Sequence, residues 1–200
     1  MNTNALFNIG YGLYVITSND GVRDNGMICN TVCQLTSNPI KISVTINKDS
    51  YTHQAVKASG KMNALPISTD APFSLFESLG FRSGRDVDKL CDTATLRSEN
   101  GLVYLTEYIN SYMSLEVCDY IDLGTHGMFI CKLTNAEVLT NAESMSYSYY
   151  HKNVKPKKKA EDKKKGYVCT LCGYVHEEET MPDDFVCPWC NHGKEFFEKL

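Results

Sequence analysis

Two Cys-x-x-Cys pairs near the C-terminus constrain the fold of this chain more than any other feature of its sequence. Cys169 and Cys172 form one pair, Cys187 and Cys190 form the other, and fourteen residues separate the pairs. Four thiolates in two tight loops can surround one tetrahedral ion, which favours zinc or iron. The spacing alone fits either metal. A unit of about 35 residues has little apolar core, so we expect metal binding to supply much of its folding free energy.

Acidic and basic residues are distributed unevenly along the chain, whose 200 residues carry a net charge of −4. Residues 151–165 contain eight lysines and only two acidic residues, whereas acidic residues outnumber basic ones on both sides. Such a run of like charges without apolar periodicity stays solvated and extended. We therefore predict a domain over residues 1–152, a flexible Lys-rich linker over 153–165 and a metal-binding domain over 166–200. The alternative for the linker is a basic segment that contacts nucleic acid or anionic lipid.

The N-terminus shows no cationic segment followed by a long apolar run, and no apolar run reaches the roughly 20 residues of a membrane span. We therefore expect a cytoplasmic protein with reduced cysteines and no membrane association. The modest net charge also argues against a nucleic acid partner. Beyond the two pairs, five cysteines are expected to be mostly buried free thiols: Cys29, Cys33, Cys91, Cys118 and Cys131.

Apolar alternation and β-branched residues predict a β-rich first domain. Strands are expected near residues 11–17, 26–36, 40–46, 61–68, 102–109, 112–121 and 127–134. The first two flank SNDGVRDNG, whose Asn-Asp-Gly and Asp-Asn-Gly favour a hairpin loop with positive φ angles. Ser50 can cap a helix that runs to about Ala58 before Gly60, and Pro72 can begin a second that runs to Leu79. Many short strands with few helices indicate an antiparallel barrel.

The sequence GFRSGRDVDKL, residues 80–90, is the most chemically suggestive part of this domain. Its Ser-Gly step lets a backbone approach a ligand, and its arginines can bind phosphate oxygens in a bidentate way. A helical turn that starts at Asp86 would add free amides for an anion. The alternative is a solvated turn with self-paired charges, for example Arg85 with Asp88. No GxGxxG or GxxxxGK[ST] motif is present, so a Rossmann or P-loop nucleotide site is unsupported.

The first domain resembles the flavin reductase-like split-barrel family, which binds FMN at a dimer interface. The similarity lies in YGLYVITS, NGMICNTVCQLTSNPIKISVTINKDSYTH, LGFRSGRDVDKL, DLGTHGMFICKL and YSYYHK, in this order, over most of residues 5–150. The resemblance implies a mainly β fold, FMN as cofactor, NADH or NADPH as hydride donor and a homodimer formed through this domain. It also implies the following flavin contacts: Met27, Ile28, Cys29, Asn30, Thr31, Asn47, Ser50, Thr52, Ser83, Arg85 and Lys89.

The implied contacts divide by the part of the flavin that they would touch. The backbone of residues 27–31 would line the ring and the ribityl chain. The phosphate would lie near Ser83, Arg85 and Lys89, with Asn47, Ser50 and Thr52 beside it and the ribityl chain. His126 matches a histidine that lies near the flavin or nicotinamide in several relatives. A flavin carries the redox chemistry itself, so no catalytic acid or base is needed.

Simpler roles remain open for several of these residues. Asn30 and Thr31 can be barrel residues that satisfy local hydrogen bonds, and Ser50 can be a helix cap alone. His126 can be a turn residue between two glycines. For Cys29, packing is the favoured role.

Residues 166–200 resemble a rubredoxin through YVC, CGY, PDDFVCP and the terminal FFE. The resemblance implies one iron bound by the four cysteines, with zinc as a possible substitute, and a small aromatic core of Tyr167, Tyr174, Phe185, Trp189 and Phe196. The stretch between the pairs is shorter than in a free-standing rubredoxin, and Asn191 replaces the usual glycine after the last cysteine. Asparagine tolerates the left-handed backbone that this position needs. His176 and His192 are expected on the surface.

The two halves together resemble the high-molecular-weight rubredoxins of anaerobes, which serve flavodiiron proteins in reducing oxygen or nitric oxide. That resemblance implies an oxidoreductase that passes a hydride from NADH or NADPH to FMN, then single electrons to its iron and on to a partner. The acidic residues of the second domain would suit docking on a basic surface.

Two rival functions remain at this stage. One is a flavin reductase that supplies reduced FMN, or a ferric reductase, with a structural zinc tail. The other is a zinc-ribbon interaction protein whose lysines contact nucleic acid.

Overall fold

The computed structural model describes residues 3–156, 166–170, 174–188 and 192–200. It divides into two compact units, Met1–Lys155 and Pro156–Leu200. Most of the predicted linker, residues 157–165, lies outside the described residues, as do Cys172, Trp189, Cys190 and Asn191.

The first unit is built on a seven-stranded sheet in which every neighbouring pair is antiparallel. Its strands are β1 (Tyr14–Asn19), β2 (Asp24–Cys29), β3 (Val32–Ser37), β4 (Ile40–Asn47), β5 (Lys61–Pro66), β8 (Ser111–Asp122) and β9 (His126–Val138). A separate hairpin pairs β6 (Thr95–Arg97) with β7 (Val103–Leu105). The order in the large sheet is β2-β1-β5-β8-β9-β4-β3.

The two edge strands of this sheet are consecutive in the chain. Only Asn30 and Thr31 separate β2 from β3, and the Thr45 N–H on β4 donates to the Thr31 carbonyl at 3.1 Å. Two residues span only about 7 Å, so the sheet must curl until its two edges approach. The result is a split barrel, and the predicted antiparallel barrel is confirmed.

Two apolar clusters stabilise this unit, one on each face of the curled sheet. The inner cluster contains residues such as Ile16, Val44, Met62 and Phe129, which alternate along their strands with outward-facing residues. The outer cluster includes Val15, Leu65, Phe76 and Tyr150. It lies under the second helix and the end of the domain.

Local signals place the helices where the sequence predicts them. Helix α1 (Tyr51–Ser59) begins after Ser50, whose side chain accepts from the Thr52 N–H, and ends at Gly60 with φ of 67°. Helix α2 (Phe73–Gly80) follows Pro72. A short α3 (Tyr147–Tyr149) continues into a π-helical turn, Tyr150–Val154, so two residues of the predicted linker extend that turn. None of the helices among the described residues has both the length and the apolar character needed to cross a membrane.

The sequence mispredicts the stretch around residues 20–36. Gly21 does take the positive φ of 93° expected in the hairpin loop. The second Asp-Asn-Gly, however, lies within β2, where a Cβ on Gly26 would already contact Leu79 and Leu90 at 3.4 Å. The expected single strand over 26–36 is two strands on opposite edges of the sheet. The apolar pattern continues across the break between β2 and β3 because both edge strands contact the same inner cluster.

The prediction that the five additional cysteines are mostly buried is wrong for three of them. Cys29 and Cys131 are buried, whereas Cys33, Cys91 and Cys118 are exposed. Cys33 lies on β3 and Cys118 at a bulge of β8, where a thiol in an apolar run faces outward because strand residues alternate between faces.

The second unit contains a three-stranded antiparallel sheet in the order β11-β10-β12. Its strands are β10 (Tyr167–Cys169), β11 (Val175–His176) and β12 (Phe197–Lys199), and a 3-10 turn, Lys194–Phe196, precedes the last. The N–H of Leu200 donates to the Gly166 carbonyl at 2.8 Å. Gly166 has φ of 131°, and a Cβ there would overlap the backbone of His176.

The aromatic core of this unit differs from the predicted one. Tyr174 and Phe185 belong to it as expected, but Phe197 rather than Phe196 contacts them, with ring centroids 5.4 Å from Phe185. His176 was expected on the surface and is buried, with its ring 4.5 Å from that of Phe185. The alternation of side chains along β11 directs His176 inward. The sequence predicted a surface position because histidine is polar. His192 is exposed, as predicted.

Candidate functional site

The start of α1 brings together several of the predicted flavin contacts. Ser50 precedes the helix, and its hydroxyl donates to the Met27 sulfur at 3.4 Å. The same hydroxyl accepts from the Thr52 N–H at 3.2 Å. Edge strand β2 and the N-terminal end of α1 are therefore in direct contact. The positive end of the helix dipole lies beside the strand predicted to line the flavin ring.

The loop that carries Ser83 and Arg85 reaches the same helix end. The Arg85 guanidinium donates to the carbonyl of Asp49 at 2.6 Å, one residue before the helix cap. The Ser83 hydroxyl accepts from the Arg85 N–H at 3.1 Å, and the Ser83 carbonyl accepts from the N–H groups of Asp86 and Val87. The predicted helical turn therefore begins at Ser83 rather than at Asp86, and the amides of Asp86 and Val87 are bonded within it. An exposed guanidinium beside the positive end of α1 is suited to a phosphate.

A buried contact fixes this loop against the barrel. A Cβ on Gly84 would lie 3.0 Å from Asn25 Cγ and would overlap its Oδ1. The Asn25 amide in turn donates to the Thr52 hydroxyl at 2.6 Å, and both residues are buried. The missing side chain of Gly84 therefore makes room for Asn25. Thr52 supports the start of the helix through this bond, and its direct contact with a flavin stays a prediction.

Lys89 is turned into the protein. Its side chain is only 7% exposed, and the ammonium donates to the Leu79 carbonyl at 2.7 Å near the C-terminal end of α2. Burial lowers the pKa of Lys89 to about 8. A direct phosphate contact would require this side chain to leave the Leu79 carbonyl.

Sequence reasoning missed a second layer of residues around the helix start. The Arg23 guanidinium lies 4.8 Å from the Tyr51 ring centroid, and it donates to the Tyr51 hydroxyl and to the Arg85 carbonyl. Tyr51 donates to the Asp20 carboxylate, which lowers the pKa of Asp20 to about 2, with backbone bonds adding to the effect. The sequence does offer one sign of this arrangement, because Tyr51 directly follows the predicted helix cap Ser50.

The link between the sheet edges holds the next predicted contacts. The Thr31 hydroxyl donates to the Thr45 carbonyl at 2.6 Å and lies 3.3 Å from the Cys29 sulfur. Burial raises the pKa of Cys29, so its thiol stays protonated and is suited to packing. Asn30, half-buried, occupies the link itself.

Asn47 and His126 lie opposite each other where β4 meets β9. The Asn47 side chain accepts from the Asp49 N–H at 2.9 Å, which shapes the entry to α1. The Thr125 hydroxyl lies 2.9 Å from His126 Nδ1, and the Leu123 N–H closes the hairpin on the His126 carbonyl. His126 therefore ends a hairpin loop beside the strand that leads into α1.

These residues fit a flavin mononucleotide in the chemistry of their groups. In the described sheet β2 pairs only with β1, so its outer row of backbone N–H and carbonyl groups can bond a flat polar ring. The charged phosphate of the flavin would contact Ser50, Ser83 and Arg85 at the start of α1.

In the second unit, the two described metal-pair cysteines have matching environments. Cys169 is 1% exposed and Cys187 is 0% exposed. Each opens a Cys-x-x-Cys loop, and the N–H of each donates at 2.8 Å to a carbonyl five residues later, that of Tyr174 and that of His192. The other two cysteines of the predicted metal site lie outside the described residues. Two buried sulfurs with the same backbone bond fit two of the four ligands of a tetrahedral thiolate site.

Comparison with known proteins matches both units. The family model for the flavin reductase like domain covers residues 6–158, and that for the rubrerythrin, rubredoxin-like domain covers residues 167–198. The high molecular weight rubredoxin of Moorella thermoacetica is 35% identical over 229 aligned positions, which span all of both chains.

Two further relatives match the first unit. The ferric-chelate reductase (NAD(P)H) of Archaeoglobus fulgidus is 35% identical over 151 positions, covering 76% of this chain and 89% of that one. Among solved structures, an FMN-binding protein from Thermus thermophilus has a TM-score of 0.61 at 20% identity. It covers 66% of this chain and 72% of its own, and this similarity shows the fold alone.

Proposed function

The chain belongs to the flavin reductase-like family and carries a rubredoxin-like domain behind it, and on that premise we propose an electron-transfer flavoprotein. It takes a hydride from NADH or NADPH at the barrel and delivers single electrons through the C-terminal unit to a partner redox protein. The observation that carries this proposal is the pair of buried cysteines in matching loops behind a barrel of the flavin reductase family. The full-length similarity to a high molecular weight rubredoxin favours iron over a structural zinc in this unit.

The residues of the barrel hold and orient the cofactor in this proposal. Bound FMN would exchange a hydride with nicotinamide and single electrons with iron. The edge of β2 bonds the ring, while Ser50, Ser83 and Arg85 bind the phosphate at the positive end of α1. Arg23 and Tyr51 hold the Arg85 loop in place. His126 lies at the nicotinamide side of the site.

The source of electrons and the oligomeric state are part of the same proposal. The name of the Archaeoglobus relative specifies NAD(P)H, which supports a nicotinamide donor for a chain with the same domain. We propose a homodimer through the flavin domain, as the family resemblance implies.

The second unit delivers the electrons in this proposal. A thiolate-bound iron exchanges one electron at a time, and amide-to-sulfur hydrogen bonds tune its potential. The surface of this unit is acidic: Glu177, Glu178, Glu179, Asp183 and Asp184 are all exposed. Such a surface favours a partner with a basic docking face. We propose a flavodiiron protein as that partner.

Anaerobic purification followed by metal and flavin analysis tests the proposal. One FMN and one iron per chain are expected, and NADH or NADPH should bleach the flavin and then the iron absorption. Cys187→Ser should lose the iron spectrum while flavin reduction continues. Cys91→Ser, which changes an exposed thiol of the barrel, is the matched control and should keep both signals.

A second function is favoured by the ferric-chelate reductase relative, which covers only the barrel. In that case the barrel alone would reduce free flavin or a ferric chelate, and the tail would hold zinc. A purified chain with one zinc, a colourless tail and undiminished chelate reduction in Cys187→Ser would support it over the electron-transfer proposal.

A further inference from the structure

A depression of about 490 Å³ opens beside α1, outside the predicted flavin contacts. It lies between the exposed side of the helix, the loop that precedes it and the end of β8. Its lining residues are Lys48, His53, Gln54, Lys57, Ala58, Tyr120 and Asp122.

The charges of this depression do not cancel. Lys48 forms an ion pair with Asp122, with 2.5 Å between Nζ and Oδ1. Lys57 lies with its ammonium 4.6 Å from the centroid of the Tyr120 ring. Of the lining residues, two are lysines and one is a carboxylate, so the depression carries one positive charge in excess.

The aromatic wall of the depression is closely packed and uncharged. His53 is 5% exposed, and its Nε2 lies 3.2 Å from the Tyr120 hydroxyl. Burial lowers the pKa of His53, and the neighbouring Lys57 and Lys48 lower it further, so the ring is neutral near pH 7. Gly127 lies against both rings, since a Cβ there would be 2.5 Å from His53 Nε2 and from Tyr120. The Lys57 ammonium therefore lies over a closely packed aromatic surface.

The depression adjoins the proposed nicotinamide side of the flavin site. Lys48 directly follows Asn47, which pairs with His126, and its N–H donates to the Thr125 carbonyl at 3.0 Å. Lys57 lies seven residues after Ser50, which is roughly 10 Å along the helix. The depression therefore begins, at Lys48, beside the hairpin that carries His126.

We propose that this depression binds the 2′-phosphate of NADPH and makes the protein prefer NADPH to NADH. This inference rests on the proposed function. A phosphate monoester carries a charge of about −1.5 to −2, so it is attracted by Lys57 and can also share Lys48 with Asp122. NADH has a hydroxyl group at the same position and gains nothing from Lys57.

Steady-state kinetics of the flavin-loaded protein tests the proposal with Lys57→Gln. The KM for NADPH should rise about tenfold, the factor that one charge-assisted contact supplies. The KM for NADH and both kcat values should stay unchanged. Lys61→Gln, which removes another exposed charge at the start of β5, is the matched control and should change the KM for neither cofactor. Equal effects on NADPH and NADH, or no effect, would overturn the inference.

Calorimetry without turnover separates this inference from the proposed function. If neither nicotinamide reduces the flavin, the proposed function fails, and the binding of 2′-AMP and 5′-AMP then decides the inference. Tighter binding of 2′-AMP that is lost in Lys57→Gln supports a nucleotide 2′-phosphate site. Equal binding of the two nucleotides, or inorganic phosphate binding as tightly as 2′-AMP, overturns it.

Discussion

Replacing Gly84 with alanine tests the contact that fixes the loop of Ser83 and Arg85 against the start of α1. The added methyl group would lie 3.0 Å from Asn25 Cγ and 3.2 Å from Tyr51 Cδ1, and it would overlap Asn25 Oδ1. Asn25 can yield only by giving up its buried bond to Thr52. An unsatisfied buried polar group costs about 1–3 kcal/mol, and crowding adds a similar amount. We expect the free energy of unfolding to fall by about 3 kcal/mol, or roughly 6–12 °C in Tm.

Thermal unfolding followed by circular dichroism measures this change. Gly10→Ala is the matched control, because nothing lies within 4 Å of its Cβ position and its Tm should stay close to that of the unmodified chain. In an Asn25→Ala background the methyl group gains room, so the second substitution should cost much less than it does alone. Equal Tm values for the Gly84 and Gly10 variants, or strict additivity with Asn25→Ala, would refute the reasoning.

Three further predictions concern stability and metal binding. Burial lowers the pKa of Lys89 from 10.5 to about 8 in the folded chain. Between pH 8 and pH 10.5, Lys89 is therefore protonated in the unfolded chain and neutral in the folded one. Stability should therefore rise with pH across this window by about 3 kcal/mol, and chemical denaturation of Lys89→Met should show a flatter profile. Asn63→Ala should lower the free energy of unfolding by about 3 kcal/mol in urea titrations. Asn63 is fully buried, and its side chain bonds Ser114 on β8 as well as Ser98 and Val103 of the β6–β7 region. Asn153→Ala, at an exposed site, should have little effect. Cys169→Ser should abolish iron binding, measured by metal analysis, whereas retention of a full metal equivalent would argue against the thiolate site.

The parts of the structure that depend on near neighbours were predictable. Ser50 and Gly60 define the ends of α1 because caps satisfy backbone groups within four residues. The cysteine spacing likewise predicts the matching loops that open at Cys169 and Cys187, because each closes on a carbonyl only five residues away.

The parts that depend on distant contacts could not be read from the sequence. Gly84 looked like a flexible step near a ligand, but its neighbour is Asn25, fifty-nine positions earlier in the chain. Lys89 looked like a phosphate ligand, and only the fold places its ammonium on the Leu79 carbonyl. His176 looked like a surface residue until β11 directed it against Phe185.

The hydrogen bond between Leu200 and Gly166 makes the C-terminal unit portable. Because Gly166 and Leu200, which flank the first and last strands of its sheet, are neighbours in space, a host protein needs only one surface position to receive it, either at a terminus or within a loop. The same geometry sets one requirement for any such transfer. The entering residue has to remain glycine, since its φ of 131° and its contact with the His176 backbone exclude a side chain.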